Sequence, residues 1–102
     1  MNFNDFKNSL ALETPPPGLE KELEALWYDA KGDWSKAHNT VQTMGNSSAA
    51  WVHAYLHREE GDLMNASFWY ASAARKMPDH SLEAEWEDIV VKLLEIEFLN
   101  AP

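Results

Sequence analysis

Two histidines four residues apart, His53 and His57, are the residues of this 102-residue chain whose types and spacing come nearest to chemistry. On a helix they project from one side, and Glu60 three positions further on shares it, so the three outline half of a metal site. The pattern is not His-Glu-x-x-His, because Ala54 occupies the place of that motif's catalytic Glu, and a zinc-protease reading fails. His38 is a third imidazole that could approach from another helix, with Asp29 or Asp33 beside it. The set His53, His57 and Glu60 is a weak metal candidate. A structural pair, hydrogen-bonded at a helix interface, is the reading adopted, and no metal or other cofactor is expected.

A second constellation is aromatic and cationic. Trp69 and Tyr70, with Arg75 and with Arg58 from the preceding helix, could clamp a carboxylate or a peptide; the alternative is that the aromatics are core and the arginines solvated. Acid pairs such as Glu59-Glu60 and Glu83/Glu87 would need a desolvating pocket to act as acid and base, and solvated helix faces explain them better. Asn65 follows Asp62 by three and is accounted for by capping. The four glycines stand singly at helix boundaries, and no Ser-His-Asp set or phosphate-cradling loop is present. With no cysteine there is no disulfide, thiolate ligand or thiol nucleophile.

The elements that must position these groups follow from periodicity. Leu19, Leu23, Leu26, Trp27 and Ala30 mark one face of a first helix ending at Lys31-Gly32, and Asp33 caps a second that carries Trp34, Ala37, Val41 and Met44. After Gly45-Asn-Ser-Ser48 a third helix runs from Ala49 to Glu60, Gly61-Asp62 turns the chain, and a fourth runs from Leu63 to Lys76. Ser81 caps a fifth, acidic in its first turn, with Leu82, Trp86, Ile89, Val90, Leu93, Leu94 and Phe98 on its apolar face. Gly-Asp-apolar-x-x-Ala occurs twice, at Gly32–Ala37 and Gly61–Ala66, an offset of 29 residues. The glycine permits the reversal, the aspartate caps the following helix, and the alanine lets two helices approach closely.

Ala54, Gly61-Asp62, Ala66, Tyr70, Ala73 and Pro78 stand at the spacing of a tetratricopeptide repeat, which the segment from Ala50 to Pro78 resembles. The earlier copy keeps Ala25, Tyr28, Gly32, Asp33 and Ala37, but its offset is shorter than that family's period of roughly 34 residues. Residues 19–98 also resemble a family of small uncharacterised bacterial proteins marked by a Trp-Val-His-Ala-Tyr-Leu-His-Arg segment, which implies a fold and no activity. The tetratricopeptide resemblance implies a scaffold that holds a peptide or protein, and its register puts His53 and His57 inside the hairpin. The apolar arc Trp51, Val52, Tyr55 and Leu56 instead leaves them on the flank.

The fold expected is therefore all-α, of about five helices: two tetratricopeptide-like hairpins and a C-terminal capping helix, in one domain over residues 19–100. Thr14-Pro-Pro-Pro-Gly18 blocks helix, so residues 1–18 are expected to be a flexible Pro-rich arm, with docking through Phe3, Phe6 and Leu10 as the alternative. The formal charge of −9 repels a phosphate backbone and argues against nucleic acid. It is carried by the flanks, since residues 31–78 hold four acids against five bases. No apolar run is long enough for a membrane span or a secretory signal, and a cytoplasmic protein is expected. The function expected is a non-catalytic module that binds an unknown protein or peptide, or its own copy as a homo-oligomer. The alternative is a small-molecule or metal-binding protein, enzyme included, built on His53, His57, Arg58, Trp69, Tyr70, Arg75, His38 and Asp29.

Overall fold

The computed structural model describes residues 1–99 and is all-helical over them. Six α-helices follow in order: α1 (Phe3–Asn8), α2 (Lys21–Ala30), α3 (Trp34–Val41), α4 (Ser47–Glu60), α5 (Leu63–Ser72) and α6 (Leu82–Leu99), with one 3-10 turn, Ser9–Ala11, after α1. The expected five helices are all present, and the sixth is α1. Asn100, the last residue of the expected domain, lies outside the described residues. Among the described residues no helix is long and apolar enough to cross a membrane.

The two Gly-Asp turns fold alike. Gly32 and Gly61 take left-handed backbone conformations at φ 91° and 87°, and the next N–H, of Asp33 or Asp62, reaches back to Tyr28 O or His57 O at 2.9 Å. Asp33 and Asp62 then cap α3 and α5 through the backbone N–H of Lys36 and Asn65. Ala37 and Ala66 are both fully buried, where their small side chains allow close helix approach.

The helix α4 is the centre of the domain, packed by α5, α3, α6 and α2. Its residues from Ala49 to His57 are buried without a break, so the helix has no solvent face over two and a half turns. His53 and His57 are inside, at 4% and 6% exposure, rather than on the flank suggested by the apolar arc.

Residues 1–18 depart from the expected free arm. Asn2 and Asp5 form a reciprocal capping box that starts α1, and Phe6 is fully buried against Trp86 of α6, ring centroids 5.8 Å apart. Ser9 Oγ accepts from Trp27 Nε1 at 3.1 Å, and Lys31 Nζ donates to the carbonyls of Leu10 and Leu12 at 2.7 and 3.0 Å. Burying one Phe contributes about 1.5–3 kcal/mol, and with the capping box and the Lys31 bonds this is enough to hold a short helix that would not persist alone.

The helix α5 ends at Ser72, four residues before the expected Lys76. Ala74 takes φ 57°, the left-handed region, and the Arg75 N–H turns back to Tyr70 O at 2.9 Å. This is the same ending as at Gly32 and Gly61, made with a residue whose Cβ is strained there by about 1–2 kcal/mol. Phe98, expected on the apolar face of α6, is 80% exposed.

Replacing Ala74 by Gly should relieve the strain, less the extra entropy glycine gives the unfolded chain. Urea unfolding of A74G should show a gain of about 0.5–1 kcal/mol, whereas a loss would show that Ala74 is not held left-handed.

Candidate functional site

Two clusters of polar side chains flank α4. On the side toward α3 and α5, His38, His53 and His57 bring one ring nitrogen each within 4.8 Å of one another. The 3.6-residue period stacks His53 and His57 on one face of α4, ring centroids 4.8 Å apart. The Asp33 cap fixes α3 so that His38 crosses to them, with 3.0 Å between His38 Nε2 and His53 Nε2. A contact of that length between two ring nitrogens holds one hydrogen. His57 Nδ1–H donates to Glu60 Oε1 at 2.7 Å, which leaves the lone pair of the neutral ring on Nε2. His53 Nδ1 is buried and is the one such side-chain nitrogen or oxygen among the described residues without a hydrogen-bond partner.

Two tryptophans wall the imidazoles. Trp34 stacks on His38, 4.8 Å between centroids, and its Nε1–H donates to Leu56 O at 2.8 Å. Trp69 stacks on His53 at 4.0 Å. His38 is half-buried and Glu60 exposed, so the cluster meets solvent along that edge. Burial lowers the His53 pKa to about 4, helped by the neighbouring His38 and His57; burial also lowers that of His38, with His57 adding to it. Asp29, expected near His38, instead faces Glu59 on α4. Both carboxyls are raised above the usual range, buried Asp29 by its burial, and Glu59, an otherwise exposed residue, by desolvation of its carboxyl and by contact with Asp29.

The other cluster surrounds Glu85, 1% exposed, in the first turn of α6. Tyr70 Oη–H lies 2.6 and 2.7 Å from the two carboxylate oxygens, Trp51 Nε1–H donates at 3.2 Å and Arg58 Nη1–H at 2.9 Å. Arg58 also donates to the His80 carbonyl. The sequence suggested that Arg58 and Tyr70 could hold a carboxylate, and they do, but it is the chain's own. Arg75 belongs to neither group of the expected patch. Its guanidinium carbon lies over Trp51, 3.4 Å from the ring centroid, beside a groove of about 330 Å3 lined also by Lys76, Pro78, His80 and Asp88. Trp69 is on the histidine side, so the four residues do not form one clamp.

From the sequence, Glu85 counts only as one of the acids in the first turn of α6, favourable to its dipole, and its role as an acceptor is not expected. The available signal was its position four residues before Ile89, which puts it on the buried stripe of α6.

Two measurements probe these clusters. Glu85→Ala leaves the Arg58 guanidinium, the Tyr70 hydroxyl and the Trp51 N–H without their acceptor, and denaturant unfolding should show a loss of about 3–5 kcal/mol. For His53 the folded pKa lies below that of the unfolded chain, so between about pH 6.5 and 4 the unfolded state binds the extra proton. Stability is therefore full above that window and falls through it on acidification, by on the order of 2–3 kcal/mol. His38 and His57 face the same ring, and Glu60 acts on those two. Melting of chelator-treated protein across the window should show this slope, flattened in His53→Leu; an unchanged slope would assign the acid sensitivity to another group. No protein-family model, curated protein or solved structure matches the chain.

Proposed function

We propose that the domain is a non-catalytic interaction module in which two helical hairpins of tetratricopeptide type present α5 to a protein or peptide partner. The observation that carries this is the outward face of α5: Leu63, Met64 and Phe68 are 54, 88 and 62% exposed, on a helix packed chiefly against α4. From Leu63 to Ala74 the chain has no charged residue, although it carries −9 overall. Exposed apolar side chains grouped on one helix face support an interaction site there. It is also a surface of this acidic molecule at which approach of a partner does not place charge against charge.

The chemistry of the face selects the partner. Met64 and Phe68, one turn apart, form an adaptable apolar ridge suited to the groove or apolar stripe of another helix. A nucleic acid or an acidic peptide finds no cation there. The inner face of α5, in contrast, is committed to the domain through Ala66, Trp69 and Tyr70.

The double variant Met64→Glu, Phe68→Glu changes exposed side chains, and its helical signal and melting should stay close to those of the parent. Proteins captured by crosslinking to the parent chain should be lost from the variant and should resist about 0.5 M salt, since apolar contact is not screened. Sedimentation of the two chains identifies the case in which the partner is a second copy. Capture that is identical for both chains, or abolished by salt alone, would overturn the assignment of α5.

A further inference from the structure

The apolar face of α5 leaves the histidine cluster unexplained. Imidazoles kept only to hold helices together would be expected to satisfy one another's nitrogens, because an unpaired buried polar atom costs about 1–3 kcal/mol. Here His38 and His53 share a single hydrogen over 3.0 Å, and His53 Nδ1 has no partner. Three rings converge, and the single hydrogen shared by His38 and His53 stands where a cation can take its place, with a ring nitrogen of His57 within 4.8 Å.

The geometry points to a binding site for one divalent transition-metal ion, ligated by His38, His53 and His57. Three features besides convergence support this. Imidazole is a ligand suited to zinc, copper, nickel and iron, and the chain has no thiolate that would draw a softer ion elsewhere. Glu60 accepts from His57 Nδ1–H at 2.7 Å, the carboxylate–histidine arrangement that fixes the ring and makes its other nitrogen a better donor. Trp34 and Trp69 stack on His38 and His53, holding two of the ligand planes in place before an ion arrives.

The distances fit with modest movement, since one nitrogen of each ring already lies within 4.8 Å of the others. Two nitrogens bound at about 2.1 Å to a tetrahedral ion stand about 3.4 Å apart, so the His38–His53 contact needs to open by only a few tenths of an ångström. His38 is the ligand that can give, being half-buried on α3, whereas His53 and His57 are fixed on the central helix. Three protein nitrogens leave the fourth position of a tetrahedral ion at the solvent edge by His38, open to water or an anionic ligand. Glu60 at that edge adds negative charge to an already acidic molecule and favours arrival of a dication.

The test is a titration of the full chain, freed of metal by chelator, with cobalt(II) and then zinc(II). Cobalt should saturate at one ion per chain with the visible absorption of a tetrahedral site, and zinc should displace it. His38→Ala changes a half-buried position on a helix surface and should still fold, checked by its helical signal, yet lose the absorption. Glu60→Gln should keep the site with affinity about 10–100-fold weaker, and His80→Ala, which removes a histidine paired with Asp88 away from the cluster, should bind as the parent does. Absence of a saturable one-to-one signal would overturn the proposal, as would parent-like binding by His38→Ala or loss of binding in His80→Ala. Should His38→Ala fail to fold, Glu60→Gln decides: unchanged affinity there also overturns it.

Discussion

The burial of α4 on every side is the constraint from which the rest of the domain follows. A central helix of nine consecutive buried residues can carry polar side chains only if each is met by a neighbour, because water is not there to do it. His53 is met by His38 of α3 at one ring nitrogen and left unpaired at the other, His57 is met by Glu60, and Trp51 and Arg58 by Glu85 of α6. The helices around α4 are thus placed by what its polar groups require as well as by apolar contact. This explains why a small domain puts an arginine, a glutamate and two histidines in or beside its core.

Tryptophan serves the same end. Four of the five indoles donate to a partner distant in sequence: Trp27 to Ser9, Trp34 to Leu56, Trp51 to Glu85 and Trp86 to Leu26. Each joins two elements with a bond worth about 1 kcal/mol and a large apolar surface. In a chain of this length, which buries a limited share of its surface, such double-purpose residues give each interface a defined register.

How far the sequence revealed this depended on whether a residue's signal was local. The Gly-Asp turns, their caps and the close-packed Ala37 and Ala66 were legible because glycine and aspartate act within a few residues of themselves. The all-α class was legible for the same reason. The side of α4 on which the histidines lie was not, since a helix buried all round has no polar face against which to measure an apolar one. Docking of the arm depended on Trp86, eighty residues away, and outweighed the helix-breaking prolines that follow it. Ala74 broke its helix without the glycine that announces such an ending. Glu85 went unread because its composition and its place in a first helical turn suit a solvated acid, and only its donors, scattered over two other helices, show otherwise.

The arm and the last helix have a consequence for how the chain comes to be folded. Both hairpins are local, their helices joined by turns of a few residues, and such contacts close quickly. Phe6 against Trp86, and the Trp86 N–H on Leu26 O, join segments separated by most of the chain and carry the larger loop-closure entropy. Loop-closure entropy therefore favours the hairpins as the earlier platform, with the two ends docking on it later. Until they do, the apolar sides of α2 and α4 that α6 covers stand open to water, so the interval between those two events is when this chain is most exposed to aggregation.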